Sequence, residues 1–443
     1  MTVRFDESLP ALVDFVAGRV GVPTLARSVF LRDATGFLSV IIDDSLSEEA
    51  IEQWNEDAVA LIGSYARSDG CVRDRSAPGA SRLLAAKDAA SLRMGEHAFR
   101  FVDRRMVGAD WLLPPANLPG GKRIAFASIK GGVGRSTALA VTAAYLSARG
   151  LRVLAIDLDL EAPGIGSMLL SDAVMPTYGS LDYLVENGIS QIDEDFLTNV
   201  SGKSTLGGSG GQVTVVPAFG RATLENPAGG LAKIARAYLE DVAPEGPISL
   251  TEQVRQMVLR LEGSGSYDVT LIDARAGLHE TTAAVLLGLG AETLLFGIDE
   301  PQTFQGYRLL MAHLAARRPT GLQEWRERLQ FVHAKATAST ADQIMAARRF
   351  HDLLAIFDVN EPENTEGADL TANDFDLEWT EDELEVDSLL RDDTPVIPIL
   401  DDSRYRGFNP IQQPELLNTE VFSATFGKLM NWVERVATGA EDE

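Results

Sequence analysis

Short apolar runs alternate with longer helical patterns along the chain from Arg123 onward. The runs consist mainly of Val, Ile, Leu, Phe and Ala without regular polar interruption, which is typical of strands buried on both faces of a parallel sheet. They predict strands at 124–129, 153–157, 213–217, 269–273, 293–298, 329–334 and 396–400. The segments between them predict helices at 135–148, 231–238, 250–261, 280–289, 304–316 and 341–357. This alternation predicts an α/β fold with a mainly parallel sheet flanked by helices.

Residues 1–117 follow a different pattern and predict a small α+β domain of their own. Two apolar runs, 37–44 and 98–102, predict strands. Ser45 and Glu48 have the spacing of a capping box, which predicts the start of a helix after the first strand. We find no catalytic motif in this region. Turn-forming residues then predict a linker: Pro114, Pro115, Pro119, Gly120 and Gly121.

The second predicted domain, 122–440, contains a strongly acidic run. Residues 358–393 carry fifteen Asp and Glu against one base, Arg391, in a chain of 443 residues with a net charge of -26. Such a run predicts a solvated insertion, although a docking strip for a basic partner or a nucleic-acid mimic is also open. The acidic balance argues against a general nucleic-acid surface, because phosphates are neutralised by Lys and Arg.

Cysteine usage and hydropathy predict a cytoplasmic protein. The single cysteine, Cys71, excludes an intramolecular disulfide. No run approaches the roughly 18 apolar residues of a membrane helix. The first residues lack the basic and apolar regions of a secretory signal.

The strongest chemical signal is a glycine-rich loop between a predicted strand and a predicted helix. Glycines in such a loop allow backbone N–H groups to surround phosphate oxygens, and the helix N-terminus adds positive potential. Ser136 is placed to offer its hydroxyl to Mg²⁺. The loop comprises Lys130, Gly131, Gly132, Val133, Gly134, Arg135, Ser136 and Thr137. The context predicts a nucleotide-phosphate site.

This loop resembles the deviant Walker A motif, KGGxGK[S/T], of the ParA/MinD group of P-loop ATPases. Further segments resemble the family's motifs in the same order over most of 123–400. They are LAIDLDLEAPG at 154–164, VTVVPAFG at 213–220, DVTLIDARAG at 268–277, the strand that ends near Glu300-Pro301, and VIPIL at 396–400. The resemblance implies a P-loop NTPase fold, with ATP and Mg²⁺ as cofactors.

The resemblance also implies roles for individual residues. Lys130 corresponds to the signature lysine that reaches the partner subunit's nucleotide phosphates. Ser136 corresponds to the Mg²⁺ ligand, and Asp159 to the residue that positions the attacking water. Asp157 and Asp273 correspond to acidic groups around the magnesium shell. The alternative for each aspartate is a simple strand cap, and for Lys130 a solvated surface lysine.

One residue departs from the family motif, because Arg135 replaces the lysine that directly precedes the Ser/Thr. Arginine is permanently charged and forks its hydrogen bonds, so the replacement is not conservative at a tight phosphate site. Slow hydrolysis, brisk hydrolysis and binding without turnover all remain open. Arg275 either adds positive charge near the nucleotide or forms a surface salt bridge. His333-Ala334-Lys335 stands where relatives commonly place an asparagine, so ATP rests on the resemblance alone.

Several branches of the family are disfavoured by what the sequence lacks. It has no C-terminal tyrosine cluster, no cysteines in the ATPase region and no basic membrane-binding helix at its end. The remaining hypothesis is a Mg-ATP-dependent homodimer that hydrolyses ATP slowly. It would control a protein partner through the N-terminal domain or the acidic insertion. The alternatives are a non-hydrolysing, nucleotide-stabilised interaction protein and a DNA-partition ATPase.

Overall fold

A computed structural model describes residues 3–118, 121–189, 192–206, 211–243, 246–319, 321–357 and 396–439. The acidic run predicted at 358–393 therefore lies outside the described residues. The chain divides into two compact units, residues 1–112 with 313–319, and residues 113–312 with 320–443. The independent domains predicted at 1–117 and 122–440 stay predictions.

The first unit is built on a five-stranded mixed sheet of order β3-β2-β1-β5-β4. Its strands are β1 (Val29–Arg32), β2 (Leu38–Ile42), β3 (Val72–Asp74), β4 (Ala90–Met94) and β5 (His97–Asp103). Its helices are α1 (Phe5–Val20), α2 (Val22–Arg27), α3 (Glu48–Ile62) and α4 (Ala80–Leu84). The apolar sides of α1 and of the central strands form one core, with Cys71 buried in it. Burial raises the pKa of the Cys71 thiol to about 11.

The predicted strands of this unit are present, but the predicted capping box is wrong. Helix α3 starts at Glu48, and its N-cap is Ser47, whose hydroxyl accepts a hydrogen bond from the Ala50 N–H. The Leu46 N–H instead donates to the Asp74 carboxylate at 3.1 Å. This tertiary contact ties the segment before Ser47 to the end of β3, so the chain turns into the helix two residues later than Ser45.

The second unit contains an eight-stranded sheet of order β15-β14-β13-β6-β12-β7-β9-β8. Its strands are β6 (Lys122–Ser128), β7 (Arg152–Asp157), β8 (Gly202–Lys203), β9 (Gln212–Val216), β12 (Val269–Ala276), β13 (Glu292–Gly297), β14 (Leu329–Ala336) and β15 (Val396–Leu400). All neighbours pair in parallel except β8, which is antiparallel to β9. The seven predicted strands and the mainly parallel sheet are therefore confirmed. A separate hairpin joins β10 (Asp241–Ala243) and β11 (Gly246–Ile248).

Helices flank this sheet, and the six that the sequence predicts are all present. They are α5 (Arg135–Ala148), α10 (Gly230–Ala237), α11 (Leu250–Gly263), α12 (Glu280–Gly288), α13 (Pro301–Arg317), whose last residues fall in the first unit, and α15 (Thr340–Ala355). Shorter helices escaped prediction: α6 (Ile165–Leu169), α7 (Ser180–Asn187), α8 (Glu194–Thr198), α9 (Arg221–Glu225) and α14 (Leu322–Glu327).

The last helix, α16 (Thr419–Thr438), packs its apolar face into the core of the second unit. Phe422 and Phe426 are buried there, and the Phe422 ring lies edge-on to Tyr145 of α5. Among the helices that the structure describes, none is both long and apolar enough to cross a bilayer.

Candidate nucleotide site

The glycine loop joins β6 to α5 at the carboxyl edge of the sheet. Gly132 and Gly134 adopt φ angles of 73° and 90°, which residues with a Cβ rarely adopt. These two glycines let the loop curl back so that α5 starts at Arg135 with its N-terminus facing the loop. The loop residues predicted to bind phosphates therefore sit where backbone N–H groups and the helix dipole favour an anion.

A cavity of about 690 Å³ lies over this loop, entirely within the second unit. Residues 131–137 line its middle. Asp159, Glu161 and Arg275 line it on the side of β12 and β7, and Lys335, Tyr405 and Arg406 line it on the opposite side of β6, towards β14 and β15. Of the predicted site residues, Lys130, Asp157 and Asp273 are not among those lining the cavity. Because ligands of parallel α/β sheets bind beyond the carboxyl ends of the strands, this cavity is the natural nucleotide site.

The Arg135 guanidinium is paired with side chains of the protein itself. Its Nε donates to Asp273 at 2.5 Å, and its Nη2 donates to Asp159 at 2.8 Å. Its Nη1 donates to the Ser128 hydroxyl at 3.1 Å. Burial alone would lower the pKa of Arg135, but the neighbouring Asp273 and Asp159 carboxylates outweigh it and raise the pKa. The guanidinium thus connects two acidic residues that the sequence places far apart.

Asp273 and Ser136 face each other beneath the loop. The Ser136 hydroxyl donates to Asp273 Oδ2 at 2.6 Å, while Arg135 holds the other carboxylate oxygen. Asp273 is fully buried, and desolvation raises the pKa of its carboxyl although Arg135 and Ser136 oppose the shift. This carboxyl can orient the Ser136 hydroxyl, which is the function expected of an acidic residue near a magnesium shell.

Asp157 serves the backbone of the loop that follows β7. One of its oxygens accepts from the Asp159 N–H at 3.0 Å. The other accepts from the Gly164 and Ile165 N–H groups at 3.1 and 3.2 Å. Desolvation and the nearby Asp273 raise the pKa of Asp157 well above its usual value. Asp157 therefore shapes the segment that carries Asp159 into the cavity.

Lys130 forms an ion pair outside the cavity. Its Nζ lies 2.8 Å from Glu300 Oε2, just before α13, and both side chains are partly exposed. An exposed pair of this kind contributes little to stability and exchanges readily with another partner. The geometry leaves Lys130 able to leave Glu300 for a stronger anion.

The donor set fits a magnesium ion only if the nucleotide supplies part of the coordination shell. Among the described residues, no cluster of three or more His, Cys, Asp or Glu is placed to hold a metal. One hydroxyl, that of Ser136, and the Asp273 carboxylate behind it match the usual way in which Mg²⁺ binds with phosphates and water.

Three residues to which the sequence assigned no role complete the cavity, together with Lys335 of the 333–335 segment. Glu161 lies two residues after Asp159, and Tyr405 and Arg406 follow β15. Lys335 lies at a bulge near the end of β14 with φ of 54°, an unusual angle for a residue with a side chain. The sequence does contain a signal for these residues, because each lies at or just after the end of a predicted parallel strand. The carboxyl ends of such strands meet at one edge of the sheet, where ligands bind.

A smaller cavity of about 80 Å³ adjoins the Lys335 end of the main one. It is lined in part by Ile399, Leu400, Tyr405 and Phe426. His333 of the HAK segment is buried beside Phe350 and does not line either cavity. Polar residues, among them Asp401, Asp402 and Thr425, complete the lining of the smaller cavity. Apolar and aromatic side chains together with a few polar groups next to a phosphate loop suit a planar base.

Comparisons with known proteins agree with this site. A model of the CobQ/CobB/MinD/ParA nucleotide binding domain matches residues 124–345. A search of curated proteins finds no match.

Similar solved structures include a ParA family ATPase from Chlorobium tepidum TLS, 15% identical, covering 71% of this chain and 99% of that chain with a TM-score of 0.41. Another is the MinD cell division protein of Aquifex aeolicus, 15% identical, covering 73% of this chain and 99% of that chain with a TM-score of 0.42. A third is cobyrinic acid a,c-diamide synthase from Mycobacterium smegmatis with bound ADP and magnesium, 17% identical, covering 53% of this chain and 82% of that chain with a TM-score of 0.36.

The matched region starts in β6, includes the glycine loop, Asp159 and Asp273, and ends within α15. It therefore contains the strand, loop and helix that form the middle of the cavity, together with both carboxylates bound to Arg135. The fold, the loop and the matched model lead to one conclusion: this chain belongs to the CobQ/CobB/MinD/ParA family of nucleotide-binding domains.

Proposed function

We propose that this protein is a Mg-ATP-dependent switch that dimerises around ATP, hydrolyses it slowly and thereby controls a protein partner. The observation that supports this most is the placement of Asp159. Its carboxylate lines the same cavity as the phosphate-binding loop and Ser136. A loop for phosphates, a hydroxyl and a carboxylate at one edge are the parts that phosphoryl transfer to water requires.

The chain's own residues would divide the work as follows. Backbone N–H groups of residues 131–137 bind the phosphates, and Ser136 is oriented by Asp273. Mg²⁺, when bound with the nucleotide, neutralises phosphate charge. Asp159 orients the attacking water, and Lys130 leaves Glu300 to reach the nucleotide of a second copy of the chain.

Slow turnover follows from the contacts of Asp159. One of its oxygens accepts from Arg135 Nη2 at 2.8 Å, and the other accepts from the Ala162 N–H at 3.1 Å. Each carboxylate oxygen can still accept a hydrogen bond from a water. The two contacts nevertheless fix the orientation of the Asp159 carboxylate, and we expect slow hydrolysis because the attacking water has to align with the terminal phosphate at that fixed orientation.

The replacement Asp159→Ala tests the catalytic part of the proposal. Phosphate release should fall by roughly 10²- to 10⁴-fold while ATP affinity is retained, because only the water-positioning group is lost. Light scattering should then find the ATP-bound dimer trapped. Asp195→Ala, an exposed aspartate of α8, is the matched control. An unchanged rate of phosphate release in Asp159→Ala would remove this residue from the mechanism.

The replacement Lys130→Ala tests the dimer. Mass in solution, measured with and without Mg-ATP, should show a nucleotide-dependent increase in the native protein and none in the variant. Arg308→Ala, on the neighbouring α13, controls for the loss of a nearby positive charge. A dimer that persists in Lys130→Ala would contradict the cross-subunit contact.

The Arg135 contacts also favour a second candidate, a nucleotide-stabilised interaction protein without turnover. If Arg135 never releases Asp159, ATP would bind and remain intact. Stoichiometric ATP recovered unhydrolysed from the protein, with no phosphate release over many hours, would establish this candidate in place of the first.

The partner and the cytoplasmic location remain proposals. Deletion of residues 360–390, in the acidic run, should leave ATP binding unchanged if that run is a partner-facing insertion. Loss of ATP binding in the deleted protein would contradict the proposal. ATP-dependent, salt-sensitive binding to DNA would instead favour a partition ATPase.

A further inference from the structure

The cation that occupies the usual phosphate-binding position of the loop is already neutralised within the protein. Arg135 donates to Asp159, Asp273 and Ser128 at 2.5–3.1 Å, and its side chain is 8% exposed. Moving this guanidinium to a phosphate would leave two buried carboxylates without their partner, which is costly. Within one copy of the chain, any positive charge at the terminal phosphate beyond that of Mg²⁺ therefore has to come from another side chain of the cavity.

Arg275 lies in the same end of the cavity as Asp159 and has donor capacity left. Its Nη2 donates to Glu161 Oε2 at 2.6 Å, in a pair whose side chains are 24% and 38% exposed. Its Nη1 is buried and has no hydrogen-bond partner among the described residues. A buried charged donor without an acceptor is unfavourable, so a ligand oxygen at this position would be stabilising.

The position of Arg275 along β12 explains why it reaches the cavity. Arg275 lies two residues after Asp273, in the part of β12 where the pairing with β6 shifts register, and its side chain lines the cavity. The Thr282 hydroxyl donates to the Arg275 carbonyl oxygen at 3.0 Å and holds its backbone. The Tyr238 hydroxyl donates to the free oxygen of Glu161 at 3.1 Å. Glu161 thus accepts hydrogen bonds from two donors. It fixes the position of the Arg275 guanidinium, while the Arg275 side chain as a whole stays 24% exposed.

The two ends of the cavity differ in a way that orients the nucleotide. The Lys335 end continues into the smaller cavity, where Ile399 and Phe426 offer apolar surface and Asp402 offers a polar group, a combination that suits a base. With the loop over the middle phosphates, the terminal phosphate would lie at the opposite end, beside Asp159 and Arg275.

We propose that Arg275, and not Arg135, contacts the terminal phosphate of a bound nucleoside triphosphate, with Glu161 and Arg135 as positioning residues. This inference rests on the proposed nucleotide site. It also implies that Arg275 lets the protein distinguish a triphosphate from a diphosphate, since a diphosphate has no group at that end.

The test compares affinities for ATP and ADP, each with Mg²⁺, in the native protein and in Arg275→Ala and Arg275→Lys. Arg275→Ala should weaken ATP binding by roughly 10- to 100-fold, the range expected for a charged hydrogen bond, and ADP binding by less than about 3-fold. Arg275→Lys should keep part of the preference for ATP that Arg275→Ala loses. Lysine retains the positive charge but lacks the paired N–H donors of the guanidinium. Arg255→Ala, which breaks a comparably exposed Arg–Glu pair on α11, should leave both affinities unchanged.

The possible outcomes separate the two proposals. Equal losses of ATP and ADP affinity in Arg275→Ala, or no loss of either, would overturn the role of Arg275 while leaving the nucleotide site in place. A native protein that binds neither nucleotide would overturn the nucleotide site itself. Thermal unfolding of each variant shows whether a loss of affinity reflects misfolding. If Arg275→Ala is misfolded, the ATP and ADP affinities of Arg275→Lys decide the question.

Discussion

An arginine is buried against carboxylates at the amino ends of the parallel strands, and another at their carboxyl ends. The two sites differ in how many acidic groups each arginine contacts. At the amino end, Arg123 of β6 forms a two-pronged pair with Glu262, at 2.8 and 2.6 Å. The Thr270 hydroxyl also donates to Glu262 at 2.9 Å. One positive charge faces one negative charge, and the Arg123 side chain is 1% exposed.

At the carboxyl end, the buried Arg135 pairs with two acidic groups, Asp159 and Asp273. A third buried acid, Asp157, lies close enough to Asp273 for that carboxylate to raise its pKa. The pKa values of Asp157 and Asp273 are both raised, chiefly by desolvation. The amino-end pair is matched one to one and closed, whereas the carboxyl-end group borders the open cavity and has more acidic groups than the one arginine that contacts them. From this difference we infer that the Arg123–Glu262 pair mainly stabilises the fold. The acidic group around Arg135 can instead accept a cationic ligand and change its contacts.

The largest expected effect is at the amino end. Arg123→Ala should lower the free energy of unfolding by about 3–5 kcal/mol, because it leaves Glu262 without its buried partner. Denaturant unfolding measures this. Arg152→Ala, which breaks an exposed pair with Asp268 at the same end, should have almost no effect. A similar loss in both variants would mean that burial does not distinguish them.

Ligand binding should stabilise the protein through the carboxyl end alone. At one hundred times its Kd, Mg-ATP should raise the free energy of unfolding by about 2.7 kcal/mol. The same increment is expected in Arg123→Ala, measured from its lower starting value, since Arg123 does not touch the cavity. A clearly smaller increment in that variant would show that the two ends are coupled.

The pH dependence of stability should sharpen the contrast. Because the pKa of Asp273 is raised in the folded state, this carboxyl binds a proton more tightly in the folded protein than in the unfolded one, and its contribution to stability is lost as pH rises above about 3.8. Asp273→Asn lacks this proton, and its amide can still bond to both Ser136 and Arg135. Its stability relative to the native protein should therefore increase with pH, by up to about 1.4 kcal/mol per pH unit until the folded pKa is passed. Unfolding curves from pH 4 to 8 measure the difference. Parallel curves would contradict the raised pKa.

The smallest expected effects come from one hydroxyl at each end. Thr270→Val and Ser136→Ala each remove a single hydrogen bond to a carboxylate and should cost about 0.5–1.5 kcal/mol in stability. Only Ser136→Ala should also weaken Mg-ATP binding, because Ser136 lines the cavity and its hydroxyl is the proposed magnesium ligand. Equal nucleotide affinities in both variants would remove Ser136 from the site.

Much of the second unit could be predicted, because its strands are buried on both faces and read as continuous apolar runs. The short strand β8 was not predicted. Its two residues are held by pairing with β9 rather than by any pattern of their own. In the first unit, β1, β3 and β4 were missed for the same reason, since three to five residues carry too little periodicity.

The sequence by itself determined the glycine loop, the strand before it and the helix after it, because local backbone requirements are written in adjacent residues. It also supplied three aspartates, Asp157, Asp159 and Asp273, through their match to the family's motifs, and the unusual Arg135 through its departure from them. Only the tertiary structure decided that Arg135 spans Asp159 and Asp273, which lie 24 and 138 residues away along the chain. The same is true of Arg275, whose cavity position and Glu161 partner depend on how β7 and β12 pair. Hydrogen bonds and charges act over a few ångströms in space, so the neighbours of an ionic group are set by strand order and register rather than by sequence distance.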